Sequence, residues 1–335
     1  MAQVSPAKVQ VKEIGQVALV VKDVQMVSEN YWSILGIGPW DIIPWEPPLV
    51  HDRKYQGRPA WARERLAITT IGGVSFELCQ HIDGESIYQD FLIEHGEGLH
   101  HINFYVDDQD ETEEILHKQG FASIRSGRMG LDGRTGNYID IKPLHAIWEI
   151  VQRSRGNSVE GRVRNANTAQ VSPAKVQAKE IGQVALVVKD VQMVAENYWN
   201  ILGIGPWDIY SWEAPLVHDQ MYRGKPTWSR AKIAQAQVGA VQLELCQPVE
   251  GDSIYRDFLV EHGEGLHHIS FFVDDVDETA EALSKEGFPS LESGCYGDTG
   301  AYNCIDIKPL RTTWQIIHRP TSMGVEPIRY PKETT

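Results

Sequence analysis

Short stretches rich in β-branched residues, each followed by a stretch with helical spacing, recur along the chain. The run GQVALVVKD near its start has this character and ends in Asp23, a residue type that caps helices. Apolar Val24, Val27 and Tyr31 follow at helical spacing, and Gly36 stands where such a helix would end. The pattern therefore predicts a strand followed by a helix.

The same plan returns in the next part of the chain. LHHINFYVDD, from Leu99, predicts a strand, with Asp108 as the cap of an acidic helix that continues to Lys118. Further strand candidates follow each helix, and they end in GGVSFELCQ from Gly72 and in HAIWEIVQ from His145. Two modules of strand, helix and three strands are therefore predicted within the first 153 residues.

A tandem duplication doubles these modules. The stretch VSPAKVQVKEIGQVALVVKDVQMVSENYWSILGIGPWDI from Val4 returns 167 residues later, almost unchanged. We predict domains over 1–153 and 171–318, joined by a polar, flexible linker over 154–170. The last segment, 319–335, contains three prolines and shows no pattern of strand or helix.

Composition narrows the classes of protein. A chain of 335 residues is long enough for about two domains that each bury a core. No apolar run reaches the ~18 residues that cross a bilayer, and the formal net charge of −15 repels phosphate backbones. We therefore expect neither membrane nor nucleic acid as a partner. The four cysteines form no CxxC pair and the start lacks a secretory pattern, which favours the cytoplasm.

Alternation within the strands sorts their side chains between two faces. If the apolar residues of each first strand pack under a helix, Gln16 and His101 face the other way. In the closing strands the same reasoning puts Glu77 and Glu149 on that inner face. The histidine doublet would then split, with His100 packing under a helix.

This inner face combines groups that are costly to bury alone. Two carboxylates, an imidazole and an amide oxygen in one cavity are satisfied most simply by a divalent metal such as Zn, Ni, Co, Mn or Fe(II). The alternative is a bridging amide, a satisfied core histidine and two partly exposed acids. Because the four groups occupy equivalent places in two half-repeats, we favour the metal.

The plan GQVALVVKD…FELCQ…HGEGLHHINFYVDD…WEIVQ resembles the vicinal oxygen chelate superfamily. That superfamily includes glyoxalase I, methylmalonyl-CoA epimerase, extradiol dioxygenases, and bleomycin and fosfomycin resistance proteins. The resemblance covers nearly all of each copy. It implies an α+β fold of four βαβββ modules that form two barrels, each of eight curved, mostly antiparallel strands with flanking helices. HGEGLHHINFYVDD looks most like the epimerases, whereas the metal set Gln16, Glu77, His101 and Glu149 is similar to that of eukaryotic-type glyoxalase I.

The resemblance also implies a reaction. One divalent metal per competent site would bind two neighbouring oxygens of a substrate, acidify the adjacent C–H and stabilise an enediolate while a carboxylate moves the proton. In glyoxalase I that base lies at the position of Glu149. The further glutamate of the epimerases falls near Trp61, where no acid stands, although Glu64 is close to it.

The second copy repeats the set with one change. Gln183, Glu244 and His268 match the first three ligands, but Gln315 stands in place of Glu149. An amide cannot accept a proton at neutral pH, so this copy is expected to be impaired in proton transfer. Members of the superfamily pair their modules either within or across copies, and either way only one site holds the base.

An aromatic, proline-rich stretch precedes the middle strands and suggests a pocket wall. We predict substrate contacts for four residues: Trp45, Tyr55, Trp61 and Asn103. Glu149, Tyr105 and His51 are the predicted catalytic residues; His51 would form a proton relay with Asp52, and Tyr105 is Phe272 in the second copy. The alternative for the aromatic residues is that they only fill the core of the sheet. The alternative for His51 and Asp52 is that they are a solvated pair in a loop.

Three functions compete. The leading hypothesis is a metal-dependent isomerase, epimerase or lyase that acts on a small hydrophobic carbonyl or hydroxy-carbonyl substrate. The second is a metal-independent protein that binds and sequesters a small molecule. The third, an extradiol dioxygenase, needs two histidines and one carboxylate on iron, and the glutamines at 16 and 183 argue against it. Since four modules are already present, we expect a monomer with internal pseudo-symmetry or a homodimer.

Overall fold

The computed structural model describes residues 4–129, 134–152 and 171–332, and their contacts divide into two compact units. The described residues of the N-terminal unit are 14–129, 134–141, 146–152 and 171–177. The C-terminal unit consists of the remaining described segments, which are 4–13, 142–145 and 178–332. The predicted linker over 154–170 lies outside the described residues.

In the described residues of the N-terminal unit, the helices are α1 (Val24–Leu35), α2 (Ile87–Glu94) and α3 (Gln109–Lys118). The strands are β1 (Ile14–Val20), β2 (Asp41–Trp45), β3 (Val50–Tyr55), β4 (Arg58–Pro59), β5 (Ala62–Ile71), β6 (Val74–Gly84), β7 (Gly98–Val106), β8 (Ser123–Met129), β9 (Arg134–Ile141) and β10 (Ala146–Gln152).

These strands form one mixed sheet in the order β2-β5-β6-β1-β7-β10-β9-β8-β3-β4. β1 is parallel to β6, β7 is parallel to β10, and β1 and β7 are antiparallel at the centre. Both modules of the first copy thus share one sheet, so modules pair within a copy. The α+β fold of paired modules is confirmed; in addition, β3 and β4 are inserted into the first module and extend the sheet beside β8.

Helix ends follow the predicted capping residues. The side chain of Asp23 accepts a hydrogen bond from the Met26 amide, and that of Asp108 accepts one from the Glu111 amide. Gly36 ends α1 with φ of 66°, a left-handed conformation that glycine adopts without strain. These contacts satisfy amides that the first turn of a helix leaves without partners.

The C-terminal unit repeats the plan. In its described residues the helices are α4 (Val191–Leu202), α5 (Ile254–Glu261) and α6 (Val276–Lys285), with 3-10 turns at Lys142–Leu144 and Lys308–Leu310. The strands are β11 (Gln183–Val187), β12 (Trp207–Trp212), β13 (Val217–Tyr222), β14 (Lys225–Pro226), β15 (Ser229–Val238), β16 (Val241–Gly251), β17 (Gly265–Phe272), β18 (Ser290–Tyr296), β19 (Gly300–Ile307), β20 (Thr312–His318) and β21 (Ile328–Tyr330).

The sheet of this unit has the order β14-β13-β18-β19-β20-β17-β11-β16-β15-β12-β21. β21 lies in the segment for which no pattern was predicted, and it pairs antiparallel with β12 through Ile209 and Ile328. A three-residue strand of this kind is stabilised by its pairing rather than by its own sequence, so no local pattern marks it. Within the described residues, no helix is long and apolar enough to span a membrane.

A buried ion-pair cluster lies beside the inner face of the N-terminal unit. The carboxylate of Glu64 accepts hydrogen bonds from Arg53 at 3.0 Å, Arg125 at 2.6 Å and the Ser86 hydroxyl at 2.6 Å. The Glu64 side chain is fully buried, and both guanidinium groups are nearly so. Since Glu64 is committed to these partners, the structure gives it no role as the epimerase-type base.

We expect Glu64→Gln to lower the free energy of unfolding of the N-terminal unit by about 3–5 kcal/mol, because two buried arginines lose their counter-charge. Urea denaturation at pH 7 measures the loss. The control is Arg63→Ala, which breaks a half-exposed pair with Asp83 and should cost less than about 1 kcal/mol. Equal costs for the two variants would contradict the role of Glu64.

Candidate metal centre

A β-bulge shapes the histidine doublet. Along the pairing of β1 with β7, Ala18 lies opposite His101 and Leu19 lies opposite Leu99, so His100 is an extra residue on β7. A bulge of this kind interrupts strict alternation. The prediction that the doublet splits between two faces is therefore wrong: the Nδ1 atoms of His100 and His101 lie 2.8 Å apart, and both rings lie against Tyr88.

The two imidazoles form a neutral, hydrogen-bonded pair. Burial, with a smaller contribution from neighbouring positive groups, lowers the pKa of His100 to about 3 and that of His101 well below 6.5. One Nδ1 must donate and the other accept. When His101 is the donor, its Nε2 carries a lone pair directed away from His100, which is the form that binds a metal.

That Nε2 atom of His101 lies between two carboxylates. It is 3.7 Å from Glu77 Oε2 and 3.8 Å from Glu149 Oε2, and it has no hydrogen-bond partner among the described residues. Gln16 joins the group by donating from Nε2 to Glu77 Oε2 at 2.8 Å. The four residues come from the four central strands, β1, β6, β7 and β10, so the sheet topology itself brings them together.

The charges of this group are not balanced. Burial, followed by the nearby charge of Glu149, raises the pKa of Glu77 to about 8. Gly136 on β9 leaves room for Glu149, since a Cβ there would lie 2.9 Å from Glu149 Oε1. Two acids that repel each other and an imidazole nitrogen without a partner form a donor set that suits a divalent cation.

The side-chain oxygen of Gln16 does not point to the space between His101, Glu77 and Glu149. Its amide nitrogen points to Glu77, and its Oε1 accepts a hydrogen bond from Asn103 Nδ2 at 3.1 Å. The Gln16 oxygen would reach a cation only after the amide turns over, so His101, Glu77 and Glu149 are the better-placed ligands.

Of the other predicted site residues, Asn103 and Tyr105 lie close to the four candidate ligands. Asn103 is buried and bonded to Gln16, and Tyr105 is half-buried with its ring against Gly15. Both follow His101 on the inner side of β7, as alternation predicted.

The predicted wall residues lie farther out. Trp45 and Tyr55 are partly buried and pack against the hydrophobic cluster that contains Tyr88 and Tyr138. The Tyr55 hydroxyl also donates a hydrogen bond to Asp90. Trp61 is 55% exposed, which removes it from any buried pocket. His51 Nδ1 lies 3.1 Å from Asp52 Oδ2, and both side chains are exposed, so the pair predicted as a proton relay is formed. Its role in catalysis stays a prediction.

Sequence reasoning missed the aromatic residues that enclose His101. The Tyr138 ring lies 5.0 Å from the His101 ring, Tyr88 stacks on that imidazole at 6.3 Å, and the two tyrosine hydroxyls lie 3.1 Å apart. Tyr138 pairs with Glu149 across β9 and β10 and therefore faces the same cavity. Alternation along β9 could have identified it once the pairing of that strand was known.

The C-terminal unit holds the equivalent residues with different contacts. A bulge again places His267 Nδ1 at 2.9 Å from His268 Nδ1, and His268 Nε2 lies 3.8 Å from Glu244 Oε1. Gln315 occupies the place of Glu149 and accepts a hydrogen bond from Ser270 at 2.9 Å. This site therefore has one carboxylate where the first has two.

Comparison with known proteins identifies relatives of the chain. The model of the Glyoxalase/Bleomycin resistance protein/Dioxygenase superfamily matches residues 15–138 and again 182–304. The "Uncharacterized protein YqjC" of Bacillus subtilis (strain 168) is 30% identical over 106 residues, which are 32% of this chain. The match spans 66% of that relative, slightly less than two thirds of its length.

Two solved structures share the fold. A triple mutant of 4-hydroxymandelate synthase from Streptomyces coelicolor matches with a TM-score of 0.60 and 14% identity, covering 94% of this chain and 95% of that one. A xylose isomerase-like TIM barrel/4-hydroxyphenylpyruvate dioxygenase fusion protein matches with a TM-score of 0.52 and 14% identity, covering 96% of this chain and 51% of that one. At this identity the likeness shows the fold alone.

We expect His100→Phe to lower the free energy of unfolding of the N-terminal unit by about 1–3 kcal/mol, because it leaves a buried N–H of His101 without an acceptor. Thermal and urea denaturation at pH 7 measure the effect. The matched change His267→Phe should act on the C-terminal unit to a similar extent. An exposed control, His95→Phe, should leave stability unchanged; a His100 variant that behaves like this control would contradict the pairing.

Proposed function

The chain belongs to the Glyoxalase/Bleomycin resistance protein/Dioxygenase superfamily, and from that premise we propose that it is a metal-dependent enzyme of the isomerase, epimerase or lyase type. Its substrate would be a small hydrophobic carbonyl or hydroxy-carbonyl compound. One observation carries the proposal: His101 Nε2 is buried without a hydrogen-bond partner between the carboxylates of Glu77 and Glu149.

His101, Glu77 and Glu149 would hold the cation, with Gln16 as a fourth ligand after its amide turns. When bound, a divalent ion such as Zn, Ni, Co, Mn or Fe(II) polarises two neighbouring oxygens of a substrate. The pair of His100 and His101 fixes the imidazole orientation before the ion arrives.

Glu149 moves the proton. One of its carboxylate oxygens takes the proton from the carbon next to the substrate carbonyl, and the same group returns it to a neighbouring position. Burial excludes bulk water from this step, since His101 is 0% and Glu149 8% exposed. Asn103 and Tyr105 share the inner side of β7 and would orient the polar end of the substrate.

Only the N-terminal unit would be competent. Gln315 cannot accept a proton, and Glu244 already accepts hydrogen bonds from Gln235 at 2.8 Å and Gln183 at 3.3 Å. A binding protein that works without metal is the alternative function. The solved structures of dioxygenase-type proteins share the fold of this chain, and that is their only support for the dioxygenase hypothesis. The donor set of one imidazole and two carboxylates argues against it, because such an iron site uses two histidines and one carboxylate.

We expect one tightly held divalent ion per chain after loading and dialysis, because among the described residues only the N-terminal unit has a buried imidazole between two carboxylates. Elemental analysis of the intact protein measures the ratio for each metal of the series. His101→Ala should abolish retention, and the matched His268→Ala should retain the ion. Two ions per chain, or loss in the His268 variant alone, would contradict a single site.

We expect the loaded protein to catalyse exchange of the hydrogen next to the carbonyl in a panel of aryl 2-hydroxyketones in D2O, followed by NMR. Glu149→Gln should slow this exchange by about 10²–10⁴-fold, since the proton acceptor is lost. Metal content is measured on every variant, so a loss of exchange is separated from a loss of the ion.

Gln315→Ala is the matched control at the equivalent place of the second copy, and it should exchange at the wild-type rate. Exchange that survives chelation or the Glu149 change would overturn the mechanism. Oxygen uptake by the iron-loaded protein with no exchange would favour the dioxygenase function instead.

A further inference from the structure

Three side chains that can bind a metal ion meet on the surface of the C-terminal unit. They are His218 and Asp219 of β13 and Cys295 of β18, and one potential ligand atom from each lies within 4.8 Å of the others. His218 Nδ1 and Asp219 Oδ2 are 2.9 Å apart. A tetrahedral zinc ion, with bonds of about 2.0–2.3 Å, holds its ligands roughly 3.3–3.8 Å apart, so side-chain shifts of about 1 Å would close the group around an ion.

The strand pairing holds this group together. His218 lies directly opposite Cys295 in the antiparallel pairing of β13 with β18, and the register shifts between His218 and Met221. Asp219 lies in this irregular stretch with φ of 52°, a left-handed conformation that is uncommon for residues other than glycine. The irregularity therefore brings together two neighbouring side chains that regular alternation would place on opposite faces.

The first copy contains the same arrangement with one substitution. His51 and Asp52 form the equivalent pair, and Asp52 has φ of 49°. Arg128, however, lies opposite His51 at the place of Cys295. A guanidinium group stays protonated and offers no lone pair to a metal ion, whereas a thiolate is a strong ligand for zinc. The metal-binding set is therefore complete in the second copy and incomplete in the first.

Charge at this place also favours a cation in the second copy. Burial, followed by the negative charges of Asp219 and Asp277, raises the pKa of the Cys295 thiol. The first copy has aspartates at both equivalent places, and there Arg128 adds a positive charge that the second copy lacks. A divalent ion would supply that charge, and the thiol proton would pass to the solvent when the ion binds.

Cys295 is accessible, unlike the other cysteines. All four cysteines lie in the described part of the chain and are free thiols. Cys79, Cys246 and Cys304 are fully buried, whereas Cys295 is only partly buried. An ion that binds a thiol from solvent therefore binds at Cys295.

We propose that His218, Asp219 and Cys295 bind a divalent ion of the zinc type, with water in the fourth position. The ion links β13 to β18 on the surface of the C-terminal unit. Because the side chains of His218 and Asp219 are 50% and 81% exposed, this ion exchanges with solvent and is removed by dialysis, unlike the tightly held ion of the N-terminal unit. The site is independent of the proposed proton transfer, and its test fails or succeeds separately.

Titration of the full chain with cobalt chloride, in a phosphine reductant, tests the proposal, because a thiolate ligand gives cobalt(II) an intense near-ultraviolet charge-transfer band. The proposed ligands of the N-terminal centre include no cysteine, so an ion there gives no such band. We expect the band to saturate at one cobalt–thiolate site per chain, with half-saturation at or below about 100 µM, and to disappear when zinc chloride displaces the cobalt. No band up to about 1 mM cobalt would overturn the proposal.

Exchange of one residue between the copies locates the site. Cys295→Arg, which introduces the residue of the first copy, should abolish the band. Arg128→Cys completes the set with His51 and Asp52 and should roughly double the saturated band. A band that persists after Cys295→Arg, or an unchanged band after Arg128→Cys, would contradict the assignment.

Two further variants separate this site from the N-terminal centre. His218→Ala should weaken cobalt binding about ten-fold or more, since one ligand is lost. His101→Ala removes the central imidazole of the other site and should leave the band unchanged. Circular dichroism confirms that each variant is folded; a band that is lost in a folded His101 variant, or unaltered in the His218 variant, would place the cobalt elsewhere and overturn the proposal.

Discussion

A buried imidazole nitrogen held between two carboxylates is the constraint on which the N-terminal unit depends. Burial removes the water that would otherwise solvate Glu77 and Glu149, and each carboxylate disfavours the charge of the other. The β-bulge at His100 fixes the His101 ring in that position through a hydrogen bond between the two Nδ1 atoms. The adjacent histidines therefore act together: one presents a nitrogen to the cavity, and the other holds it there.

The two copies share the backbone and the first residues of this site and differ in the side chains around them. Both have the bulge, the stacked tyrosine and the first carboxylate. The N-terminal unit adds Glu149 and leaves room for it at Gly136, whereas the C-terminal unit has Tyr302 at the place of Gly136 and Gln315 at the place of Glu149. Both cavities have aromatic surroundings, and they differ in charge, because the N-terminal cavity has two carboxylates and the C-terminal cavity has one.

Sequence pattern predicts the parts of this fold that obey a regular period. Capped helices and alternating strands yielded the modules, and alternation placed Gln16, Glu77, His101 and Glu149 on one face. It failed at His100, because an inserted residue in β7 depends on pairing with β1 and leaves no local signal. Tyr138 and the Glu64 cluster were missed for the same reason, since their roles arise from strands that are distant in the chain. The orientation of the Gln16 amide is likewise set by its neighbours Glu77 and Asn103.

Anomalous diffraction from crystals of the cobalt- or nickel-loaded protein tests the central claim most directly, because it locates the ion without reference to any substrate. The account requires a strong peak within bonding distance of His101 Nε2 and of carboxylate oxygens of Glu77 and Glu149, with a weaker peak or none beside His268. A map in which the cavity of His101 is empty, or in which the ion is bound only through His268, would contradict it.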